Sequence, residues 1–382
     1  MKRMRGKKMA RELKRTELTN IVYGSSFYGG GGGGSSEEGL ALIEAIYKED
    51  PNASIQMIDI LEMEKDPNIV STMIAALGSP VATKGKTFQE EAVNAVKGMQ
   101  EEARFKGKEL RYVYSGEMGG GNTMLPLYAA WKCGLPIIDT DGNGRAVPEL
   151  NTGLLPVHGI PTSPVILASE AGDTIVARTE DPMDCVACEK IARYMCQAFD
   201  QGIGFAAWMM NQEQHLQASA LGQITLAIEV GDILRTTPTK DALKKLQSYF
   251  DQKKIPFKPI VEYGTIIDIK ITSEGGFDTG ITTIRTENDK LIKVIFQNEN
   301  LFVETAEKTI VTVPSIISTL DLSDEKMAVP VSNSETFIGQ KIALTETKAN
   351  DRWYDLPECY NCWNEVMVSA GYRIVKPEVK FW

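Results

Sequence analysis

The sequence predicts an α/β protein in two parts: an N-terminal three-layer α/β domain with a mainly parallel sheet, then a β-rich α+β C-terminal domain. Three observations predict it. Strand-like runs alternate with runs of helical apolar spacing from Thr19 to Ile138, the order that builds a parallel sheet covered on both faces. From Ile260 to about Leu344, Thr, Val and Ile alternate with polar residues between glycine turns, as in GTIIDIKITSEGGFDTGITTIRT, the period of half-buried strands. The chain of 382 residues also exceeds the ~250–300 at which one core stops growing. The expected divisions are a basic, disordered arm over 1–18, the α/β domain over 19–163, and the β-rich domain over 164–382.

Taken in order, the arm holds eight Lys or Arg among its first fifteen residues, with no apolar run behind them to make a secretory signal. Thr19 to Phe27 reads as a strand feeding six glycines, Gly29 to Gly34, and Ser35 or Ser36 then caps a helix to about Glu49. Strand, glycine loop and helix form a natural anion cradle, so Gly31, Gly32, Gly33 and Ser35 are candidate substrate-binding residues. The alternative is a mobile loop, because the glycines lack GxGxxG spacing. Ala53 to Leu61 is the second strand. Lys84 to Thr87 (KGKT) imitates a P-loop, but the first glycine of that motif falls on Pro80 and no strand is assigned before it.

Phe88 to Phe105 is a helix, Arg111 to Tyr114 a strand end, Asn122 to Trp131 a helix closed by Gly134, and Leu135 to Ile138 a buried strand. Ligands of open α/β sheets gather at the carboxyl ends of strands. There lie Glu117, Gly120 and Asn122 in one glycine turn, and Asp139, Asp141, Arg145 and Glu149 in the next. DTDGNG at 139–144 matches the first half of an EF-hand loop, but position twelve is Leu150, so a divalent ion on Asp139 and Asp141 competes with a plain Asx turn in which Arg145 pairs with Glu149 or Asp141. Beyond Pro148, a proline-rich linker (155–164) precedes a hairpin over Val165 to Thr179. Helices follow over Pro182 to Gln201 with Asp181 as cap, Asn211 to Leu234, and Thr239 to Lys253. Trp353, Tyr354, Tyr360, Trp363, Tyr372, Phe381 and Trp382 predict a terminal segment packed onto the body or a homo-oligomer contact.

Composition excludes several classes. A net charge of −10 argues against nucleic acid, and no run approaches the ~20 apolar residues of a membrane span. No nucleotide or flavin motif is present. Six cysteines without a signal peptide fit reduced thiols in a cytoplasm. The pairs Cys185/Cys188 and Cys359/Cys362 would make a zinc site only if they met in space. Of the two histidines, His158 is a candidate ligand or base near the cleft, against a loop histidine bonding backbone, and His215 reads as a helix-face residue.

With SGEMGGGN (115–122), LPIIDTDGNGRAVPEL (135–150), GGGGSSEEGL (31–40), GTIIDIK (264–270), EGGFDTG (274–280) and FQNENL (296–301), the chain resembles the S-methyl thiohydantoin desulfurase family over nearly its whole length. The resemblance implies a hydrolase of a five-membered nitrogen heterocycle, releasing methanethiol from an S-methyl thiohydantoin to leave a hydantoin. On family-matching positions, Asp139 or Asp141 would be the base, alone or with a metal-bound water. Glu117 or Glu149 would supply the proton, and Arg145 with the glycine-loop amides would hold a substrate carboxylate or developing anion. On that reading Asp141→Asn is folded and close to inactive. The rival reading is a non-catalytic metabolite- or ion-binding module that partners a hydantoinase- or oxoprolinase-type subunit.

Overall fold

A computed structural model describes residues 10–78, 85–199, 201–274 and 277–372. Nine strands form the first sheet: β1 (Arg11–Leu13), β2 (Ile55–Ile58), β3 (Ile69–Gly78), β4 (Glu109–Ser115), β5 (Ile137–Asp141), β6 (Val165–Ala168), β7 (Thr174–Ala177), β8 (Gly202–Met210) and β9 (Ala220–Leu221). Their order is β1-β2-β5-β4-β3-β8-β6-β7, with β9 on β5. The central four, β2, β5, β4 and β3, are parallel, and the flanking pairs are antiparallel. The second sheet is wholly antiparallel. It orders β14 (Thr309–Thr312), β13 (Glu299–Glu304), β12 (Leu291–Gln297), β11 (Phe277–Thr286), β10 (Phe257–Glu274), β17 (Lys341–Thr347), β15 (Ile316–Asp321) and β16 (Val329–Val331).

The helices are α1 (Arg15–Gly29), α2 (Ser36–Glu49), α3 (Gln89–Phe105), α4 (Gly120–Cys133), α5 (Leu154–Val157), α6 (Cys185–Cys196), α7 (Gln212–Ala218), α8 (Gln223–Thr236), α9 (Thr239–Lys253), α10 (Glu358–Asn361) and α11 (Asn364–Ser369). Alternation along the strands sorts the first sheet into two faces. Val70, Ile74, Val113 and Ile166 pack under α2, α3 and α4, whereas Met73, Tyr114, Val165 and Leu167 pack against α6. That is the expected three-layer arrangement. A third core lies between the sheets and joins Phe27 and Tyr28 of α1, Val230 of α8 and Phe250 of α9 to Phe302 and Ile316.

The segment Thr19 to Phe27 is therefore a helix, not a strand. It is buried along most of its length because α1 crosses from the first core (Leu18, Ile21, Val22) to the shared one (Phe27, Tyr28), and all-round burial erases the polar stripe that marks a surface helix. The arm is also shorter than expected, since β1 pairs with β2 and α1 begins at Arg15. An unassigned strand, β3, sits at the sheet centre, so the P-loop imitation is excluded by Pro80 alone. The helix expected over Asn211 to Leu234 is broken at β9, where Ala220 and Leu221 pair with Asp141 and Thr140 and Gly222 turns left-handed. Asp184, not Asp181, caps α6. The expected boundary at 163 divides the first sheet, which draws β6 to β9 from beyond it. Trp353 and Trp363 do pack onto the body, with ring centroids 5.5 Å apart. Residues 1–9, Pro80 with residue 84, and Phe381 with Trp382 lie outside the described residues.

Candidate functional site

Strands β4 and β5 end side by side, and the two glycine turns after them are laced together. Gly142 N–H donates to the Ser115 carbonyl at 2.8 Å, and the Asn143 side chain donates to the Gly116 carbonyl at 2.9 Å while accepting from Leu154 N–H at 2.8 Å. Asp141 Oδ1 accepts from Asn143 and Gly144 N–H at 2.9 and 2.6 Å, an Asx turn made while Gly144 is left-handed. Asp139 accepts from Thr225 N–H and its hydroxyl at 2.9 and 2.6 Å, fixing the first turn of α8. Asp139 is therefore held at the start of α8 and one oxygen of Asp141 in its own turn, and Asp141, fully buried, is pushed by burial up to about 7. Among the described residues no three His, Cys, Asp or Glu side chains converge to hold a metal ion, by way of the aspartates or of the two CxxC pairs.

The glycine loop is a packing joint instead of an open cradle. Gly30 ends α1 in the left-handed conformation. Carbonyls of Gly30, Gly31 and Gly33 then accept from the N–H groups of Asn300, Asn333 and Asn122 at 2.8, 2.8 and 3.0 Å. A Cβ on Gly33 would stand 2.3 Å from the Met118 carbonyl. Ser35 caps α2 in a capping box with Glu38. Gly120 meets the Ser35 carbonyl, so it serves the same close crossing.

What the structure does bring together is Glu117, Asn122, Arg145 and Glu149, joined by Glu189 and Glu299. Glu117 leaves the end of β4 partly exposed, as are Gly32, Gly116 and Asn122 around it. Its Oε1 accepts from the Asn122 side chain and its Oε2 from Val147 N–H at 2.8 Å. Burial outweighs these bonds and pushes its carboxyl up to about 7. Glu149 is also raised, by burial and then by Glu189, and accepts from Gln297 at 3.2 Å. Glu189 accepts from Leu150 N–H and pairs with Arg193 at 2.6 Å. Glu299, the first residue of β13, is held well above the ordinary range by burial and by Glu117. Arg145 is fully buried, lowered to about 10, and lies over the Trp363 ring at 4.8 Å. It pairs with neither Glu149 nor Asp141, donating instead to the carbonyls of Ala146, Pro314 and Ser315 and so tying the two sheets together.

Both histidines bond within the fold. His158 bonds the Leu154 carbonyl through Nδ1 at 2.9 Å. His215 is buried between Ser71 and Ser219 at 2.7 and 2.9 Å and is lowered to about 3 by burial. A groove of about 1500 Å³ between α9 and β10 touches none of these residues. Sequence reasoning missed Glu189 and Glu299. The FQNENL block contains Glu299, so a signal for it existed.

A parallel-centred α/β sheet joined to an antiparallel one, with a buried cluster of carboxylates and one arginine between them, defines a two-domain α/β protein. The chain belongs to the S-Me-THD-like family: the family models "S-Me-THD-like, N-terminal domain" and "S-Me-THD-like, C-terminal domain" match residues 16–179 and 183–363. Among solved structures, the X-ray crystal structure of a protein from Chromobacterium violaceum, a structural genomics target, shares the fold. It has a TM-score of 0.79 and 23% identity over 95% of this chain and 98% of that one. No curated protein matches. No helix among the described residues is long and apolar enough to cross a membrane.

Proposed function

We propose that the interdomain cluster hydrolyses a five-membered nitrogen heterocycle of the S-methyl thiohydantoin type, giving methanethiol and a hydantoin. The observation that carries the reading is Glu117: a buried carboxyl just past the end of a parallel strand, oriented by two donors and poised near neutrality. This reassigns the base from Asp139, which holds the start of α8, and from Asp141, whose Oδ1 holds its own turn.

Glu117 takes a proton from water as the oxygen adds to C2, and Glu149, whose hold on a proton is strengthened by burial and by Glu189, enters in its acid form and delivers a proton to the ring nitrogen of the C2=N bond. The tetrahedral intermediate then collapses. Its hydroxyl proton returns to Glu149, the C2–S bond breaks, and the thiolate leaves with the proton held on Glu117. Substrate and one water become hydantoin and methanethiol, and both carboxyls end as they began. Acid–base assistance of this kind contributes typically ~10²–10⁴ in rate.

The test is methanethiol release from an S-methyl thiohydantoin, using chelated protein with and without added Zn²⁺, Mn²⁺ or Mg²⁺. Turnover that falls by about 10²–10⁴ in Glu117→Gln is expected. No turnover by wild type under any of these conditions, or full activity of the variant, removes the reading.

A further inference from the structure

Internal bonding leaves two atoms of the cluster without partners. Arg145 spends Nε and Nη1 on three carbonyls, and its Nη2 is buried with no hydrogen bond. Glu299 is 3% exposed, and its Oε2 is equally buried and equally unmet. A buried polar group without a partner is costly, so a fold that keeps two of opposite character together has a use for them. They come from opposite domains, Arg145 from the turn after β5 and Glu299 from the first residue of β13. Glu299 exerts the largest electrostatic pull on the guanidinium, yet among the described residues no ion pair closes between them. Gly32, which is partly exposed, lies against this place, and a Cβ on it would stand 2.0 Å from Glu299 Oε1.

We propose that Arg145 and Glu299 read the lactam edge of the ring, Arg145 Nη2 donating to the C4 carbonyl and Glu299 Oε2 accepting from N3–H. This rests on the ring hydrolase reading and names what the site selects. One free donor beside one free acceptor matches a carbonyl next to an N–H. A carboxylate brings acceptors alone, so it would satisfy Arg145 and oppose Glu299. The ring, and not a side-chain carboxylate, is therefore what Arg145 holds. Glu117 attracts Arg145 and repels Glu299, so it borders the same gap, and C2, bonded to N3, is the ring carbon presented to it.

The experiment is calorimetric binding of hydantoin, 1-methylhydantoin and 3-methylhydantoin to the full chain. 3-Methylhydantoin, which lacks the N3–H, should bind roughly tenfold or more weakly, the effect of one lost buried hydrogen bond, while 1-methylhydantoin matches hydantoin. Glu299→Gln keeps an acceptor and should keep the preference. Glu299→Ala removes both acceptor and bulk and should abolish it. Equal binding of the two methyl isomers by wild type, no binding of hydantoin, or a preference that survives in Glu299→Ala overturns the assignment. A preserved preference without methanethiol release would instead remove the desulfurase reaction and leave the ring-edge recognition standing.

Discussion

Asp141→Asn separates a catalytic aspartate from a turn aspartate. In the native turn Asp141 Oδ1 takes both N–H bonds, from Asn143 and Gly144, while Oδ2 is buried without a hydrogen bond. An asparagine can keep its oxygen at Oδ1 and put its amide nitrogen at Oδ2, so the turn survives and the ionisation is removed. Burial raises Asp141 from 3.8 to about 7, and a raised pKa means that the folded state binds the proton more tightly than the unfolded chain. The associated stability is fully present below pH 3.8 and is lost as pH rises toward 7. At 1.36 kcal/mol per pKa unit the loss is about 4 kcal/mol by pH 8, an upper figure for a site that can relax.

The difference in unfolding free energy between Asp141→Asn and wild type, from urea titrations at pH 5 and pH 8, should therefore move in favour of the variant by about 1–4 kcal/mol between the two. Taking the difference cancels Glu117 and Glu299, which titrate in both proteins. Methanethiol release should persist in the variant. A variant that is folded but inactive would restore Asp141 as the base, and a difference independent of pH would mean that Asp141 is ionised at no unusual cost.

Other outcomes follow from the same geometry. Because Glu117 acts only when ionised, the wild-type rate should climb as pH rises through about 7, and the residual rate of Glu117→Gln should lose that inflection; an unchanged profile would place the base elsewhere. Gly24→Ala would set a Cβ 1.8 Å from the Ala227 carbonyl where α1 crosses α8, and should cost about 3 kcal/mol or more in urea unfolding. A stable variant would show that the two helices can separate freely. Thr225→Val removes the hydroxyl bond to Asp139 at the start of α8 and should destabilise by about 1–3 kcal/mol without changing the rate of methanethiol release. A large loss of rate in that variant would give Asp139 a role beyond capping.

Much of the fold was legible because local patterns were consistent with it. The α3 span, with acidic residues in its first turn, and the α9 span are read almost residue for residue. The Gly134 stop, the β6–β7 hairpin and the β-rich second half follow from turn glycines and period-two alternation. Legibility failed where burial was two-sided. Helix α1 lies between two cores and β3 lies at the centre of a covered sheet, so neither carries the polar face that distinguishes the two periods.

By itself the sequence determined the class of the protein and its family, because glycine turns at strand ends and blocks such as DTDGNGRAVPEL are local properties of the chain. Only the tertiary structure decided which carboxylates are available. Asp139 and Asp141 are spent on α8 and on their own turn, the glycine loop is filled by Asn300 and Asn333, and Glu299, more than a hundred residues away in sequence, is brought against Glu117 and Arg145. The physical reason is that a carboxylate's role depends on the donors that reach it and on the water excluded from it, and both are set by segments distant in sequence.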